Sequence, residues 1–319
     1  MSANHHDASR RSFLKYGAIT SAGFLFAGSS AFANAFMQKK PNSKFAGVQV
    51  GAITYSFRSM PGSIEQILQY IVDCNLSAVE LMGDAVEAYA GKPVNPDSKA
   101  SDAYRKQVAD WRAAVAMTKF EEVRKMFDKA GVSIYAFKPD ALGTNNTDAE
   151  IEWAMKVAKV LGAKSVTVEL PKDAEHSKRL GALALKNKVY VGYHAHTQAT
   201  DTAWDVALSQ SPYNSMNLDC GHYIAAGGAN TKETLLALIQ AKHDRITSMH
   251  LKDRKSKENG GENMPWGQGN TPLIEILQLL KEKKYGIPVS IELEYEIPAG
   301  SDAVKETSKC LEYAKKALL

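Results

Sequence analysis

Several short apolar runs in this chain end in side chains that can move protons or hold a cation. Ser165, Thr167 and Glu169 alternate along one run, and Gly192, His194 and His196 along the next. Asn217 and Asp219, then Ser248 and His250, then Ser290, Glu292 and Glu294 do the same in three more, while Glu80 and Lys138 close two earlier ones. The two-residue period of a strand places each set on one face. So many acids close together repel one another unless cations lie among them, and a divalent ion is the simplest such cation. Two glutamates, an aspartate and a histidine form a mixed oxygen and nitrogen set suited to Mn²⁺, Mg²⁺, Co²⁺ or Zn²⁺, with no soft ligand to favour copper. No nucleophile–base pair accompanies them, since Ser290 has no obvious partner. What such a set can do is proton transfer next to a carbonyl. A divalent ion chelated by a ketone and its neighbouring hydroxyl stabilises an enediolate, and carboxylates on opposite sides remove and return the proton.

These residues require a scaffold that brings strand ends together. Apolar, β-branched runs occur at 47–57, 78–82, 132–138, 165–170, 189–196, 215–220, 246–252 and 288–295. Stretches of helical spacing separate them: Ile64, Ile67, Leu68 and Ile71 share one face, as do Val123, Met126, Phe127 and Ala130, and Ile274, Leu277 and Leu280. Thr147 to Glu150 reads as a capping box, and Thr271-Pro272 as an N-cap followed by proline at the first helical position. Alternating strands and helices over 44–319 predict an α/β fold, a single-domain (β/α)8 TIM barrel, whose strand C-termini converge on one mouth. No GxGxxG follows the first run, which argues against a doubly wound sheet. The long connection at about 83–118 holds the segment KPVNPDS and an amphipathic stretch around Tyr104–Val115. It is expected to form a helical insert over the active-site face.

The chain has 319 residues, 45% apolar and 23% charged, with a net charge of +4 and no long basic run. That composition argues against a nucleic-acid binder. Its three cysteines, Cys74, Cys220 and Cys310, are widely spaced and suggest neither a disulfide framework nor a thiolate metal site. Residues 1–36 read differently. Ser9-Arg10-Arg11-Ser12-Phe13-Leu14-Lys15 precedes a mildly apolar stretch to Phe32, and Ala33-Asn34-Ala35 supplies a cleavage site. This resembles a twin-arginine signal peptide cleaved near Ala35, and implies export, in folded form, to the periplasm or beyond. The apolar stretch is too short and too weakly apolar to predict stable membrane insertion after processing.

The ordered pieces VTVEL (Glu169), GYHAH (His194, His196), NLDCGH (Asp219, His222), MHLKDR (His250, Asp253, Arg254), PWGQGN (Gly267, Gly269) and VSIELEYE (Glu292) span most of 47–296. Together they resemble the xylose isomerase-like TIM-barrel superfamily of sugar phosphate isomerases and epimerases, which also contains endonuclease IV. The resemblance implies one divalent ion held by Glu169, Asp219, His250 and Glu292. Several epimerases of the family place the first glutamate on the fifth strand, where this chain has His194. The first ligand is therefore Glu169 or His194, with Glu169 preferred. Glu169 and Glu292, from opposed strands, would act as the catalytic acid–base pair. Lys138, His194, His196, His222, Asp253 and Arg254 would contact the substrate. Gly267-Gln268-Gly269 is read as a tight turn in preference to a phosphate cradle. The implied activity is a metal-dependent isomerase or epimerase acting on a small sugar or glycoside-derived substrate, with self-association allowed. A lyase or hydratase acting on a keto-sugar or 3-keto-glycoside shares the same first step, and a non-catalytic sugar-binding barrel is the reading from another class. An endonuclease would need more metal ligands and a basic groove.

Overall fold

The computed structural model describes residues 40–60, 62–95 and 101–319; the expected leader lies outside them. Parallel strands β1 (Val48–Ile53), β2 (Ala78–Met82), β3 (Ser133–Lys138), β4 (Ser165–Glu169), β5 (Tyr190–His194), β6 (Asn214–Asp219), β7 (Ile246–Leu251) and β8 (Val289–Ile291) pair in sequence order. β8 closes on β1 through Val289 opposite Val50, so the sheet is the expected barrel. Two strands are shorter than the apolar runs suggest. The first turns at Thr54 into a 3-10 segment, Thr54–Phe57, and the last stops at Ile291, leaving Glu292 and Glu294 just past its end.

The helices are α1 (Ile64–Asp73), α2 (Gly83–Tyr89), α3 (Asp102–Ala114), α4 (Thr118–Ala130), α5 (Asp148–Leu161), α6 (Ala174–Asn187), α7 (Asp205–Gln210), α8 (Cys220–Ala226), α9 (Lys232–Lys242), α10 (Leu273–Lys283) and α11 (Ala303–Leu318). Their starts follow local chemistry. Thr147 caps α5 by the box with Glu150, and Ser63 caps α1 with Gln66 in the same way. α10 corrects the sequence reading: Pro272 itself occupies the cap, and the Thr271 hydroxyl accepts the Arg254 backbone N–H instead. Apolar faces such as Leu68 and Ile71 of α1 and Phe120 and Phe127 of α4 are fully buried. Truncating one such ring to alanine costs roughly 3–5 kcal/mol.

Within the insert, α3 packs outside the barrel on α5. Trp111 meets Trp153 edge-on with ring centroids 5.5 Å apart, and the buried Arg112 donates to Glu150 Oε1 at 2.7 Å. Among the described residues no helix is long and apolar enough to cross a membrane.

Candidate active site at the barrel mouth

Two tiers of polar side chains fill the upper barrel. The lower tier is organised by Glu80, whose carboxylate is wholly buried. It accepts hydrogen bonds from Thr167 Oγ1 at 2.8 Å, Asn217 Nδ2 at 3.1 Å and Ser290 Oγ at 3.2 Å, and it meets His250 Nε2 at 2.9 Å. Burial pushes the Glu80 carboxyl up, but the His250 ring and the other donors outweigh it and hold it at about 2. Ser290, which looked partnerless in sequence, also shares a 2.6 Å hydrogen bond with Tyr135.

The upper tier carries the ligand-type atoms. Facing strands set its register: Glu169 lies opposite His194, and Asp219 opposite His250. His194, Asp219 and His250 each offer one ligand atom, all within 4.8 Å of one another. His194 Nε2 lies 3.9 Å and His250 Nδ1 3.8 Å from Asp219 Oδ2. Two ligands of one ion at bond lengths near 2.1 Å lie at most about 4.2 Å apart, so these spacings suit a shared ion. The outer hydrogen bonds fit as well. His194 Nδ1 is taken by Asn217 Oδ1 at 2.9 Å, and His250 Nε2 by Glu80, which turns Nε2 of one ring and Nδ1 of the other to the centre, where Glu292 Oε2 also meets that Nδ1 at 3.1 Å. That is how metal-bound histidines are ordinarily oriented. Burial and the neighbouring His250 charge depress His194 to about 4, so it is neutral with a free lone pair. Asp219 Oδ1 caps α8 by accepting the His222 N–H at 2.6 Å, whereas the buried Oδ2 receives no aligned hydrogen bond. Burial pushes His250 down, but Glu292 and Glu80 raise it to about 10, so the donor set fits a divalent ion once His250 gives up its Nδ1 proton.

Lys252 was missed in the sequence. Its ammonium lies 3.0 Å from Asp219 Oδ2, 2.8 Å from Glu292 Oε2 and 2.6 Å from Glu294 Oε2. Burial pushes its pKa down, and the three carboxylates more than reverse this. It is a built-in cation serving the acids that sequence reasoning assigned to a metal alone. Period-two alternation reveals it, since Lys252 follows His250 by two residues. Replacing Lys252 by Met leaves these buried acids short of a counter-charge. The metal-free variant should lose about 3–5 kcal/mol of stability, a fall of roughly 6–20 °C in Tm. Added Mn²⁺ should restore more of that loss than it adds to the wild type. Thermal unfolding with chelator and with Mn²⁺ checks this, and an unchanged metal-free Tm would refute it.

The remaining expected residues divide into two groups. Glu169 does not join the triad; it sits half-exposed at the mouth, where Lys138 Nζ donates to Oε1 at 2.9 Å and His196 Nε2 meets Oε2 at 3.0 Å. Burial would raise its carboxyl, but His196, His194 and Lys138 hold it well below the usual range. Glu292 contacts His250 Nδ1 at 3.1 Å, and its carboxyl is likewise held low against burial by His250 and Lys252. Lys138, Glu169, His194, His196, His222, Glu292 and Glu294 line a cavity of about 200 Å³, together with Ile53, Tyr55 and Met82. Asp253 and Arg254 are not among its lining residues. The buried Asp253 carboxylate accepts the N–H groups of Gly267 at 2.8 Å, Gly269 at 2.8 Å and Thr271 at 3.1 Å. It anchors the loop, and those donors are thereby unavailable to a phosphate. Gly267 takes φ +88°, and a Cβ at Gly269 would collide with Asp253, so the glycines build the turn. Arg254 Nη1 meets His222 Nδ1 at 2.6 Å, while its Nε donates to the Gly261 carbonyl at 3.0 Å. It therefore supports His222 from behind.

The sequence profile described as xylose isomerase-like TIM barrel matches residues 68–314. No curated protein matches. Solved structures of the same fold include D-psicose 3-epimerase of Clostridium cellulolyticum, with 12% identity and a TM-score of 0.60 over 85% of this chain and 99% of that one. A 3-keto-D-glucoside 4-epimerase of E. coli matches with 14% identity and a TM-score of 0.58 over 84% and 99%. A sugar phosphate isomerase/epimerase of Parabacteroides distasonis matches with 17% identity and a TM-score of 0.57 over 87% and 98%.

Proposed function

The chain belongs to the xylose isomerase-like TIM barrel family, and from that premise we propose that it is a metal-dependent sugar isomerase or epimerase working by proton transfer next to a carbonyl. The observation that carries this reading is the pairing of a cation-ready triad, His194, Asp219 and His250, with two separately held carboxylates lining one sugar-sized cavity. A divalent ion bound by the triad, with Glu292 beside it, supplies Lewis acidity to a substrate carbonyl and its adjacent hydroxyl.

The protein's own groups do the rest. Glu169 and Glu292 come from strands four apart in the closed ring and line the same cavity. Held ionised, each is in the form that accepts a proton; one removes it from the substrate carbon, and the other can return one to the opposite face only after taking a proton up from solvent. Lys138 and His196 fix the Glu169 carboxylate at its two oxygens, which sets its direction. His222 lines the cavity as a neutral ring, its pKa pushed down to about 3 by burial and Lys252, and the Lys252 and Arg254 cations behind it supply positive charge to that wall, where an oxyanion would gain from it. Asp253 occupies the loop donors that would otherwise suit a phosphate, which favours an unphosphorylated sugar. The twin-arginine leader supports the same choice, because an exported enzyme meets few sugar phosphates.

The deciding test is solvent exchange. Metal-replete protein in D₂O should place deuterium next to the carbonyl of at least one ketose or 3-keto-glycoside, read by NMR together with any epimer or isomer. Complete absence of label across such a panel would defeat the enzyme reading in favour of a sugar-binding barrel.

A pH prediction follows from the hold on Glu169. Lys138 helps keep that carboxyl low, so Lys138→Met should raise its pKa. The acid limb of kcat/KM should then move to higher pH by roughly one unit. An unmoved limb in a pH–rate profile would show that Glu169 is not the group being titrated.

A further inference from the structure

Beside the polar cavity lies a second, larger one of about 390 Å³, walled by Tyr55, Phe57, Ile67, Met82, Ala85 and Ala88, with the exposed Arg58 and Asp84 among its lining residues. Tyr55 and Met82 line both cavities, so the two share a partition. Tyr55 is itself supported: the Arg58 guanidinium lies over its ring at 4.4 Å, and Arg58 Nη1 donates to the Leu293 carbonyl at 2.5 Å. That bond ties the partition to the segment between Glu292 and Glu294. The sequence positions it through β1, which turns at Thr54, while Met82 ends β2 and α2 starts at the next residue. The chemistry of the two spaces differs. One is ringed by carboxylates, imidazoles and an ammonium; the other is predominantly aromatic and aliphatic.

Resting on the sugar reading of the polar cavity, we propose that the substrate is a keto-glycoside carrying an apolar, aromatic aglycone, with the sugar ring among the acids and the aglycone over Tyr55 in the neighbouring cavity. A free monosaccharide would leave the larger, apolar space to water. An aromatic ring fills it, gains contact with Tyr55 and removes apolar surface from solvent. A second sugar would bring hydroxyls to walls whose polar side chains are few.

Two matched probes test this: phenyl and methyl 3-keto-β-glucosides, compared on metal-replete protein for dissociation constant by calorimetry and for deuterium incorporation by NMR. The phenyl compound should bind about tenfold more tightly or better. Ala88→Phe, at an exposed helix position that tolerates substitution, and Ala85→Phe, deeper in the wall, should each bring that ratio close to one by filling the space. Equal binding of the two probes by the wild type would overturn the proposal, as would a ratio that survives both fillings. The proton-transfer reading is judged separately: if neither probe acquires deuterium, that reading loses support, whereas the binding ratio still decides the aglycone site.

Discussion

Asp219→Asn should abolish tight divalent-ion binding while leaving the barrel folded. The two carboxylate oxygens have separate duties, and the substitution spares one of them. Oδ1 caps α8 through the His222 N–H, and the asparagine carbonyl can do the same. Oδ2 faces His194 Nε2 at 3.9 Å, His250 Nδ1 at 3.8 Å and Lys252 at 3.0 Å. An amide NH₂ there withdraws a charged ligand and turns a donor towards the Lys252 ammonium. Lys252 keeps Glu292 and Glu294, so no buried cation is stranded. Ion affinity should fall by about 100-fold or more, and deuterium exchange into a substrate should fall to background. Metal content after dialysis, measured together with Tm, checks both halves of the expectation. An Asn variant that keeps one ion per chain would show that the triad is not the ion site.

How far this site was legible follows from what alternation can and cannot report. Period two placed Asp219, His250 and Glu292 on inward faces, and the barrel follows from eight such runs separated by helical spacing. Depth was not legible. Glu80 and Asp219 both looked like strand-end acids, yet Glu80 lies a tier lower, beneath His250, because barrel stagger is a property of the closed sheet and not of any one strand. The choice between Glu169 and His194 turned on the same stagger: they are register partners, but only His194 reaches Asp219. Lys252 was within reach of the pattern, being on the His250 face and the last residue of the 246–252 run, but only Ser248 and His250 were taken as inward from it. Asp253 and Arg254 were expected to contact substrate because MHLKDR resembles the family's motif. Their protein partners, Gly267, Gly269 and His222, come from a later loop and from the neighbouring α8, which no local pattern indicates.

Glu169→Gln separates base from ligand, the alternative that the sequence left open. The carboxylate stands outside the His194–Asp219–His250 group, held by Lys138 and His196 at the mouth. Glutamine preserves its shape and one acceptor but cannot take up a proton. If Glu169 is the base, exchange should drop by about 10²–10⁴-fold, with the bound ion unchanged. His194→Gln should give the converse, losing the ion first and the rate as its consequence, because Nε2 is the ring atom left free by the Asn217 hydrogen bond. Measuring ion content and exchange on the same two proteins distinguishes the roles. Loss of the ion from Glu169→Gln with retention in His194→Gln would return Glu169 to the ligand set and assign proton transfer to Glu292. The half-exposed position of Glu169 argues for the first outcome, since a base must meet the substrate carbon while a ligand is best buried. Its two cationic neighbours argue the same way, because they compete directly with an ion for its oxygens.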